Sequence, residues 1–264
     1  MEIAVIGGTG HLGARVAEEL AARGHAVRAV SRTAPAPGRL PAGVAHRRAD
    51  LATGDGLDAA LAGAAVVVNA VGDRRGRAAV LVEGTRRLLE AERRAGVAHH
   101  VAISIVGADR TRIRYHRATV AQEQVVIAGP VPWTILRATQ FHTLVDEAFA
   151  LLAARRLLPR GRGLLQPIDP AVVASWLADA VDAGPAGRLP DIAGPEVATV
   201  TELARQWRRG RPGRLLPLPV DRLGAAGRAL RAGALIDRDA AVSGPTFAQW
   251  LDRERAGVQP LPVR

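Results

Sequence analysis

A glycine-rich segment close to the start of the chain constrains the fold more than any other feature. The segment GGTGHLG at residues 7–13 follows a short apolar run over residues 2–7 and opens an amphipathic run over residues 12–23. The G-x-x-G-x-x-G spacing is a variant of the fingerprint that joins the first strand and helix of a dinucleotide-binding fold. Its glycines permit a tight turn, close approach to a pyrophosphate and close helix packing, and the helix N-terminus attracts phosphate. We therefore predict a cofactor site that includes Gly7, Thr9, Gly10, His11, Leu12 and Gly13.

Short apolar runs alternate with longer amphipathic ones along the rest of the chain, which is typical of βαβ units. Strands are predicted over residues 2–7, 26–32, 44–51, 65–71, 100–106 and 133–137. Helices are predicted over residues 12–23, 56–62, 77–95, 115–127 and 141–155. This order predicts an α/β fold of the Rossmann class, with a doubly wound parallel sheet.

The pattern becomes looser after residue 155. A proline opens a helix from residue 170, a strand is predicted over 187–192 and a helix over 201–208. Residues 215–220 carry alternating prolines and are expected to form an edge segment or a loop. We predict a dinucleotide-binding core over residues 1–155, and a smaller substrate-binding lobe over residues 156–264 that packs on it within one compact unit.

Two residue types are missing, and their absence excludes several kinds of chemistry. The 264 residues include no cysteine and no lysine, so all 36 basic residues are arginines. Disulfides, thiolate nucleophiles, cysteine-ligated metals and Schiff-base chemistry are therefore excluded. No clustered histidine and carboxylate spacing predicts a metal site.

The formal net charge of +11 bears on the partners of the chain. Because the arginines are dispersed and aromatic residues make up only 3%, we expect no nucleic-acid partner. The charge is expected to attract an anionic cofactor or a small-molecule substrate. No apolar run is long enough to span a bilayer and no basic leader opens the chain, so a cytoplasmic location is expected. The oligomeric state stays open.

The end of the second predicted strand bears on the choice between NAD and NADP. NAD sites usually place an acidic residue there, about 20 residues past the glycine turn, to bind the ribose diol. This chain has Ser31 and Arg32 instead. Because a hydroxyl and a guanidinium suit a 2′-phosphate, NADP(H) is favoured over NAD(H).

Several segments spread over most of the chain resemble the atypical short-chain dehydrogenase/reductases, in particular the NmrA-like NAD(P)H-binding group. They are GGTGHLG at 7–13, ADL at 49–51, VNAVG at 68–72, SIVG at 104–107, YHRAT at 115–119, WTILRATQF at 133–141, AGPE at 193–196 and TFAQWL at 246–251. The resemblance implies cofactor contacts from Asp50 and Leu51, which would flank the adenine, and from Ala70, Val71 and Gly72. It also implies that Thr139, Gln140 and Phe141 border the nicotinamide and the substrate.

The resemblance further implies a catalytic set in which a serine orients the substrate oxygen and a tyrosine transfers a proton. A lysine four residues after the tyrosine lowers the pKa of that tyrosine and holds the nicotinamide ribose. This spacing places both side chains on one helix face. Ser104 and Tyr115 match, but Thr119 stands in the lysine position and is left to bind a ribose hydroxyl. Without a neighbouring amine, the phenol is a hydrogen-bond donor and a poor general base at neutral pH. His142, beside Phe141, is a further candidate acid or base.

These observations lead to an NADPH-dependent oxidoreductase that reduces a quinone, enone, imine or ketone, plausibly in bacterial secondary metabolism. Hydride transfer depends mostly on how the nicotinamide is positioned against the acceptor. An activated acceptor can therefore be reduced without the lysine. Two alternatives stay open. One is a non-catalytic NADP(H)-binding sensor, and the other is a non-redox enzyme, such as a cyclase or dehydratase, on the same fold.

Overall fold

The computed structural model describes residues 1–72 and 78–257, which alternate between strands and helices. The strands are β1 (Glu2–Ile6), β2 (Ala26–Ser31), β3 (Val44–Arg48), β4 (Val66–Asn69), β5 (His99–Ile105), β6 (Trp133–Ala138), β7 (Leu157–Arg160), β8 (Leu164–Leu165), β9 (Gly187–Arg188), β10 (Ile192–Ala193), β11 (Ala198–Thr199), β12 (Leu216–Pro219) and β13 (Ala241–Val242). The helices are α1 (His11–Ala22), α2 (Leu57–Leu61), α3 (Ala78–Ala95), α4 (Arg114–Ile127), α5 (His142–Ala153), α6 (Pro170–Ala183), α7 (Val200–Arg208), α8 (Gly224–Arg231) and α9 (Phe247–Ala256). Within these residues, no helix is both long and apolar enough to cross a bilayer.

A nine-stranded parallel sheet forms the centre of the fold. Its strands are ordered β13-β10-β6-β5-β4-β1-β2-β3, and β9 pairs with β6 beside this path. β1 lies between β2 and β4, in parallel register with both. Every residue of β4 is buried, as expected for a strand covered on both faces. The predicted α/β class with a doubly wound parallel sheet is confirmed.

The chain forms two compact units, and each is built from separate stretches of sequence. The first comprises Met1–Ser104, Arg117–Leu136 and Val173–Leu189. The second comprises Ile105–His116, Arg137–Val172 and the residues from Pro190 onward. The boundary predicted at residue 155 falls inside the second stretch of the second unit.

Each unit has a hydrophobic core of its own. In the first unit, side chains of the central strands pack with those of α2 and α3, including Ile6, Val67 and Leu88. In the second unit, the core brings α5, α7 and α9 together around Phe149, Trp207 and Phe247. The ring of Phe149 meets both other rings edge-on, with centroids 6.1 Å from Trp207 and 6.5 Å from Phe247. Burial of these aromatic rings stabilises the second unit.

The strand predicted over residues 187–192 is split into β9 and β10, because Pro190 lies between them and has no N–H for a sheet hydrogen bond. The proline-rich segment at 215–220 was expected to be an edge segment or a loop. It contains the edge strand β12, which pairs in parallel with β7 in a two-stranded sheet. The first residue of the helix predicted over 77–95 lies outside the described residues.

Candidate functional site

The glycine-rich segment forms a tight turn between β1 and α1. Gly7 has a φ of +77°, a conformation that residues with a side chain rarely adopt. Its carbonyl oxygen accepts a hydrogen bond of 2.8 Å from the N–H of Gly10. A β-carbon on Gly13 would lie only 2.2 Å from the same oxygen. The turn therefore requires glycine at positions 7 and 13.

The N-terminus of α1 begins directly after this turn. The preceding residue, Gly10, has an extended backbone and supplies no side-chain acceptor to the N–H groups of the first helical turn. Such N–H groups, together with the helix dipole, favour an anion. The turn and the helix start thus fit the phosphates of a dinucleotide.

A cleft of about 370 Å³ opens at the carboxyl ends of the strands in the first unit. Its walls come from the glycine turn and from the segments that follow β2, β3 and β4. Ten of the fifteen predicted cofactor residues line it: Gly7, Thr9, Gly10, Ser31, Arg32, Asp50, Leu51, Ala70, Val71 and Gly72. These residues are up to 65 positions apart in the chain. They meet at the cleft because the parallel strands that precede them end at the same edge of the sheet.

The end of β2 forms one wall of the cleft with Ser31, Arg32 and Thr33. The Arg32 side chain is exposed, and no residue within the described ranges accepts a hydrogen bond from its guanidinium. The Ser31 hydroxyl donates to the carbonyl oxygen of Thr33 at 2.9 Å. Thr33 was not among the predicted residues, although it follows Arg32 directly. This wall offers a cation and two hydroxyl groups to a ligand.

The loop after β3 contributes Asp50, whose carboxylate acts within its own loop. Its Oδ1 accepts a hydrogen bond of 2.8 Å from the N–H of Ala52. Its backbone carbonyl accepts a further one of 2.7 Å from Gly54. Through these hydrogen bonds Asp50 stabilises its own loop. Asp50 also borders the cleft, where the resemblance implies a contact with the adenine.

Five of the predicted cofactor residues are not among those that line the cleft. Leu12 and Gly13 are buried in α1, whereas His11 is exposed at its start. Thr119 is 4% exposed on α4. In the second unit, Thr139 is buried, and its hydroxyl accepts a hydrogen bond of 3.4 Å from the N–H of Gly194. Leu12 and Gly13 support the turn, and the predicted cofactor contacts of the other three stay predictions.

Ser104, the predicted catalytic serine, lies near the end of β5 with only 4% of its surface exposed. Its hydroxyl donates a short hydrogen bond to the carboxylate of Glu123 on α4, which is itself buried. Glu123 is not among the site residues that the sequence predicts. One signal was available, since Glu123 lies four residues after Thr119 and therefore continues the same helix face.

Tyr115, the predicted proton donor, lies in the first turn of α4 and is half-buried. Its ring centroid is 6.3 Å from that of His116. Burial lowers the pKa of His116, and its Nδ1 lies 2.9 Å from the Thr111 hydroxyl. The ring beside Tyr115 is therefore a neutral imidazole. The family pattern would instead supply a lysine amine, from the residue four positions after the tyrosine.

The structure places His142 differently from the sequence analysis, which put it where a substrate should lie. The side chain is fully buried at the start of α5. Its ring packs against Phe247 and Trp250, with centroid distances of 5.5 Å to each. Its Nε2 donates to the Pro245 carbonyl oxygen at 3.1 Å. Because α5 turns this position inward, the imidazole acts as a packing residue and is not exposed to a substrate.

We predict that this buried imidazole makes the protein less stable in acid. Burial lowers the pKa of His142 from 6.5 to about 4, and burial beside His100 does the same for His99. Between these pH values the unfolded chain binds protons that the folded chain does not, so the free energy of unfolding falls as the pH drops from 6.5 to 4.

Urea unfolding of the wild type and of His142→Phe at pH 8 and at pH 4.5 tests this prediction. Phenylalanine keeps a ring in the cluster but cannot be protonated. The difference between the two proteins at pH 8 measures packing, and its change at pH 4.5 measures protonation. We expect the difference to move in favour of the variant in acid. A difference that stays constant would contradict the prediction.

The two predicted substrate residues lie at the start of α5 in the second unit. Gln140 is half-buried, and its side-chain amide donates to the Leu235 carbonyl oxygen at 2.8 Å. Phe141 is also half-buried and forms an isolated parallel β-bridge with Ile168. Both residues fix loops within the second unit. Their contact with a substrate stays a prediction.

Titratable side chains in the described ranges do not form a group of three or more that could hold a metal ion. The glycine turn, the helix start and Arg32 all suit an elongated ligand that carries phosphate groups.

A family model described as NAD(P)H-binding matches residues 7–183. No curated protein sequence matches the chain. Among solved structures, an NADPH-dependent quinone oxidoreductase from Escherichia coli, in complex with NADPH, is similar with a TM-score of 0.76 and 20% identity. The match covers 96% of this chain and 99% of that one.

Two further solved structures share the fold. A triphenylmethane reductase from Citrobacter sp., in complex with NADP(H), is similar with a TM-score of 0.70 and 20% identity, over 90% of this chain and 93% of that one. A UDP-N-acetylglucosamine 4-epimerase from Bacillus cereus gives a TM-score of 0.71 and 16% identity, over 99% of both chains. At these identities the likeness concerns the fold, which carries more than one kind of chemistry.

Proposed function

The chain belongs to the NAD(P)H-binding family, and from this premise we propose that it is an NADPH-dependent reductase of a small organic acceptor. The family membership confirms the resemblance that the sequence motifs indicated. The observation that carries the proposal is the cleft, which is lined both by the glycine turn and by Ser31, Arg32 and Thr33.

The proposed preference for NADPH rests on the wall at the end of β2. A 2′-phosphate carries two negative charges at neutral pH, and a guanidinium binds phosphate through charge-assisted, bidentate hydrogen bonds. Arg32 is exposed on this wall, and Ser31 adds a hydroxyl. An acidic residue, which would favour the ribose diol of NADH, is absent from positions 31–33.

The proposed reaction is hydride transfer to a quinone, enone, imine or ketone. Bound NADPH supplies the hydride, and the acceptor takes up a proton to complete the two-electron reduction. Two similar structures, those of an NADPH-dependent quinone oxidoreductase and a triphenylmethane reductase, support an acceptor of this kind. A tailoring step in bacterial secondary metabolism, carried out in the cytoplasm, fits such acceptors.

We assign Tyr115 the role of hydrogen-bond donor to the acceptor. The residue is half-buried, so part of its surface is exposed. Because no lysine follows it, an acceptor that needs little help from a proton donor should react best. Quinones and enones are therefore expected to be better substrates than simple ketones.

Turnover tests this function directly. NADPH oxidation is followed by absorbance with a naphthoquinone, a cyclic enone, a cyclic imine and a ketone. We expect oxidation with at least the quinone. We also expect Tyr115→Phe to lower kcat/KM for an enone or ketone by about 100-fold, with less effect on the quinone. NADPH affinity of the variant should stay unchanged.

The outcomes separate the two parts of the proposal. Equal turnover by the wild type and Tyr115→Phe with every acceptor would remove Tyr115 from the mechanism. NADPH that binds but is not oxidised by any of the four acceptors would contradict the reductase.

A second candidate function is a non-catalytic NADP(H)-binding sensor. The observation that favours it is the Ser104 hydroxyl, which is buried and already donates to Glu123. A serine in this state does not have its proton available for a substrate oxygen. Tight cofactor binding without turnover would favour this candidate, or a non-redox enzyme on the same fold.

A further inference from the structure

We propose that His46 is a positioning residue that makes the Ser31 hydroxyl a donor toward the 2′-phosphate of NADPH. The inference rests on the proposed NADPH preference and deepens it. His46 lies on β3 and is not among the residues that line the cleft, so it would act through Ser31 and not by touching the cofactor.

The register of β2 and β3 brings the two side chains together. The strands are parallel, with Ala29 opposite His46 and Ser31 opposite Arg48. Because side chains two positions apart share a face of a sheet, His46 lies on the same face as Ser31. The Nε2 atom of His46 is 2.9 Å from the Ser31 Oγ, which is hydrogen-bond distance.

The hydrogen-bond partners of Ser31 determine which of the two side chains donates. A serine hydroxyl has one proton and two lone pairs. The Ser31 hydroxyl donates its proton to the Thr33 carbonyl oxygen at 2.9 Å. The contact with His46 must then be made by an imidazole N–H, with Ser31 as the acceptor. His46 therefore carries a proton on Nε2.

This arrangement leaves the serine proton available to a phosphate. The proton can move from the Thr33 carbonyl to a phosphate oxygen by rotation about the Cβ–Oγ bond, while the imidazole N–H continues to donate to Oγ. If Nε2 lacked a proton, it would itself take the serine proton. The hydroxyl would then turn its lone pairs toward the phosphate and repel it.

The Ser31 hydroxyl is expected to distinguish NADPH from NADH. NADH has a ribose hydroxyl in place of the 2′-phosphate, and a hydroxyl both donates and accepts. The state of Ser31 should therefore matter little for NADH. A purely structural role of His46 would affect both cofactors alike, so the ratio of their dissociation constants distinguishes the two roles.

Fluorescence titration of the full chain with NADPH and NADH tests the inference in the wild type, His46→Phe and His46→Gln. Phenylalanine keeps a ring but has no N–H, whereas glutamine supplies an amide N–H in its place. We expect His46→Phe to weaken NADPH about 3- to 10-fold, the range of one neutral hydrogen bond. NADH should change less than about twofold, and His46→Gln should restore NADPH to within about threefold of the wild type.

A matched control is Arg47→Ala. Arg47 is the next residue on β3, is exposed and faces the other side of the sheet. Its guanidinium donates to the His46 carbonyl oxygen at 3.0 Å, so its loss removes a charge and a contact with the His46 backbone while the imidazole and Ser31 are kept. We expect the cofactor ratio of this variant to equal that of the wild type. Thermal unfolding of each variant reports whether the fold is kept.

The inference is overturned if His46→Phe leaves the ratio unchanged, or if His46→Gln behaves like His46→Phe. A wild type that binds NADH as tightly as NADPH would instead overturn the proposed cofactor preference, before the variants are compared. The two failures are therefore distinguishable.

Discussion

Replacing Gly13 with alanine is expected to weaken NADPH binding by about 10- to 100-fold. This corresponds to about 1.4–2.7 kcal/mol, within the roughly 1–3 kcal/mol that overpacking costs at a site that cannot relax. The added methyl group would lie 2.2 Å from the Gly7 carbonyl oxygen and 2.7 Å from its carbonyl carbon. Both atoms are backbone, so no side chain can move aside. The turn must open, and its N–H groups then no longer face the phosphates.

A second glycine of the same turn serves as the comparison. A β-carbon on Gly10 would meet only the Gly7 oxygen, at 3.2 Å, and Gly10 lines the cleft. Gly10→Ala should therefore weaken NADPH while it changes the melting temperature little. Gly13→Ala should lower both. Glu18→Ala, on the exposed face of α1, controls for changes to this helix.

Thermal unfolding and NADPH titration of the three variants check the prediction. A Gly13→Ala protein with wild-type affinity and stability would contradict the role of the turn. Loss of stability without loss of affinity would show that α1 tolerates the shift and that the turn does not hold the phosphates.

Replacing Arg32 with alanine is expected to weaken NADPH binding by about 10- to 100-fold, because hydrogen bonds to a charged group contribute about 1.5–3 kcal/mol. NADH lacks the 2′-phosphate, so its dissociation constant should change less than about twofold. The change in preference should be largest at low ionic strength, because Arg32 is exposed and salt screens its charge.

Arg39→Ala is the matched control for this experiment. Arg39 is also exposed and follows in the same loop, but it is not among the residues that line the cleft. The Arg39→Ala substitution removes one positive charge from the same loop, as Arg32→Ala does. If both variants weaken NADPH equally, the net charge and not Arg32 attracts the cofactor. If neither does, the proposed preference for NADPH is wrong.

The sequence was most informative where local patterns dictate the backbone. The glycine spacing predicted the turn because Gly7 and Gly13 have no substitute there, and the apolar runs predicted the parallel strands. Asp50 and Ala70 were expected at the cofactor site only from the resemblance to the NmrA-like group. They line the cleft because parallel strands end at one edge of a sheet.

Side-chain environments that arise between distant residues could not be predicted in the same way. His142 follows Phe141 in the chain, but its burial depends on Phe247 and Trp250, more than 100 positions later. The partner of Ser104 is Glu123 on another element. In each case packing between elements decides whether a polar side chain is open to a ligand, and no spacing in the sequence encodes that packing.

The pairing of Ser31 with His46 shows the same limit at the cleft itself. Ser31 was predicted from its position at the end of β2, but His46 enters only through the register of β2 with β3. That register places an imidazole behind a residue that the sequence marks as a cofactor contact. The proposed effect of His46 on specificity can therefore be inferred only from the folded chain.

Equilibrium titration of the wild-type protein shows whether the cleft of the first unit binds NADP(H). Nicotinamide fluorescence is measured while NADPH, and separately NADH, is added at constant protein concentration. We expect saturable binding of both cofactors, with NADPH bound at least about tenfold more tightly through its 2′-phosphate. Absence of saturable binding for either cofactor would contradict this expectation.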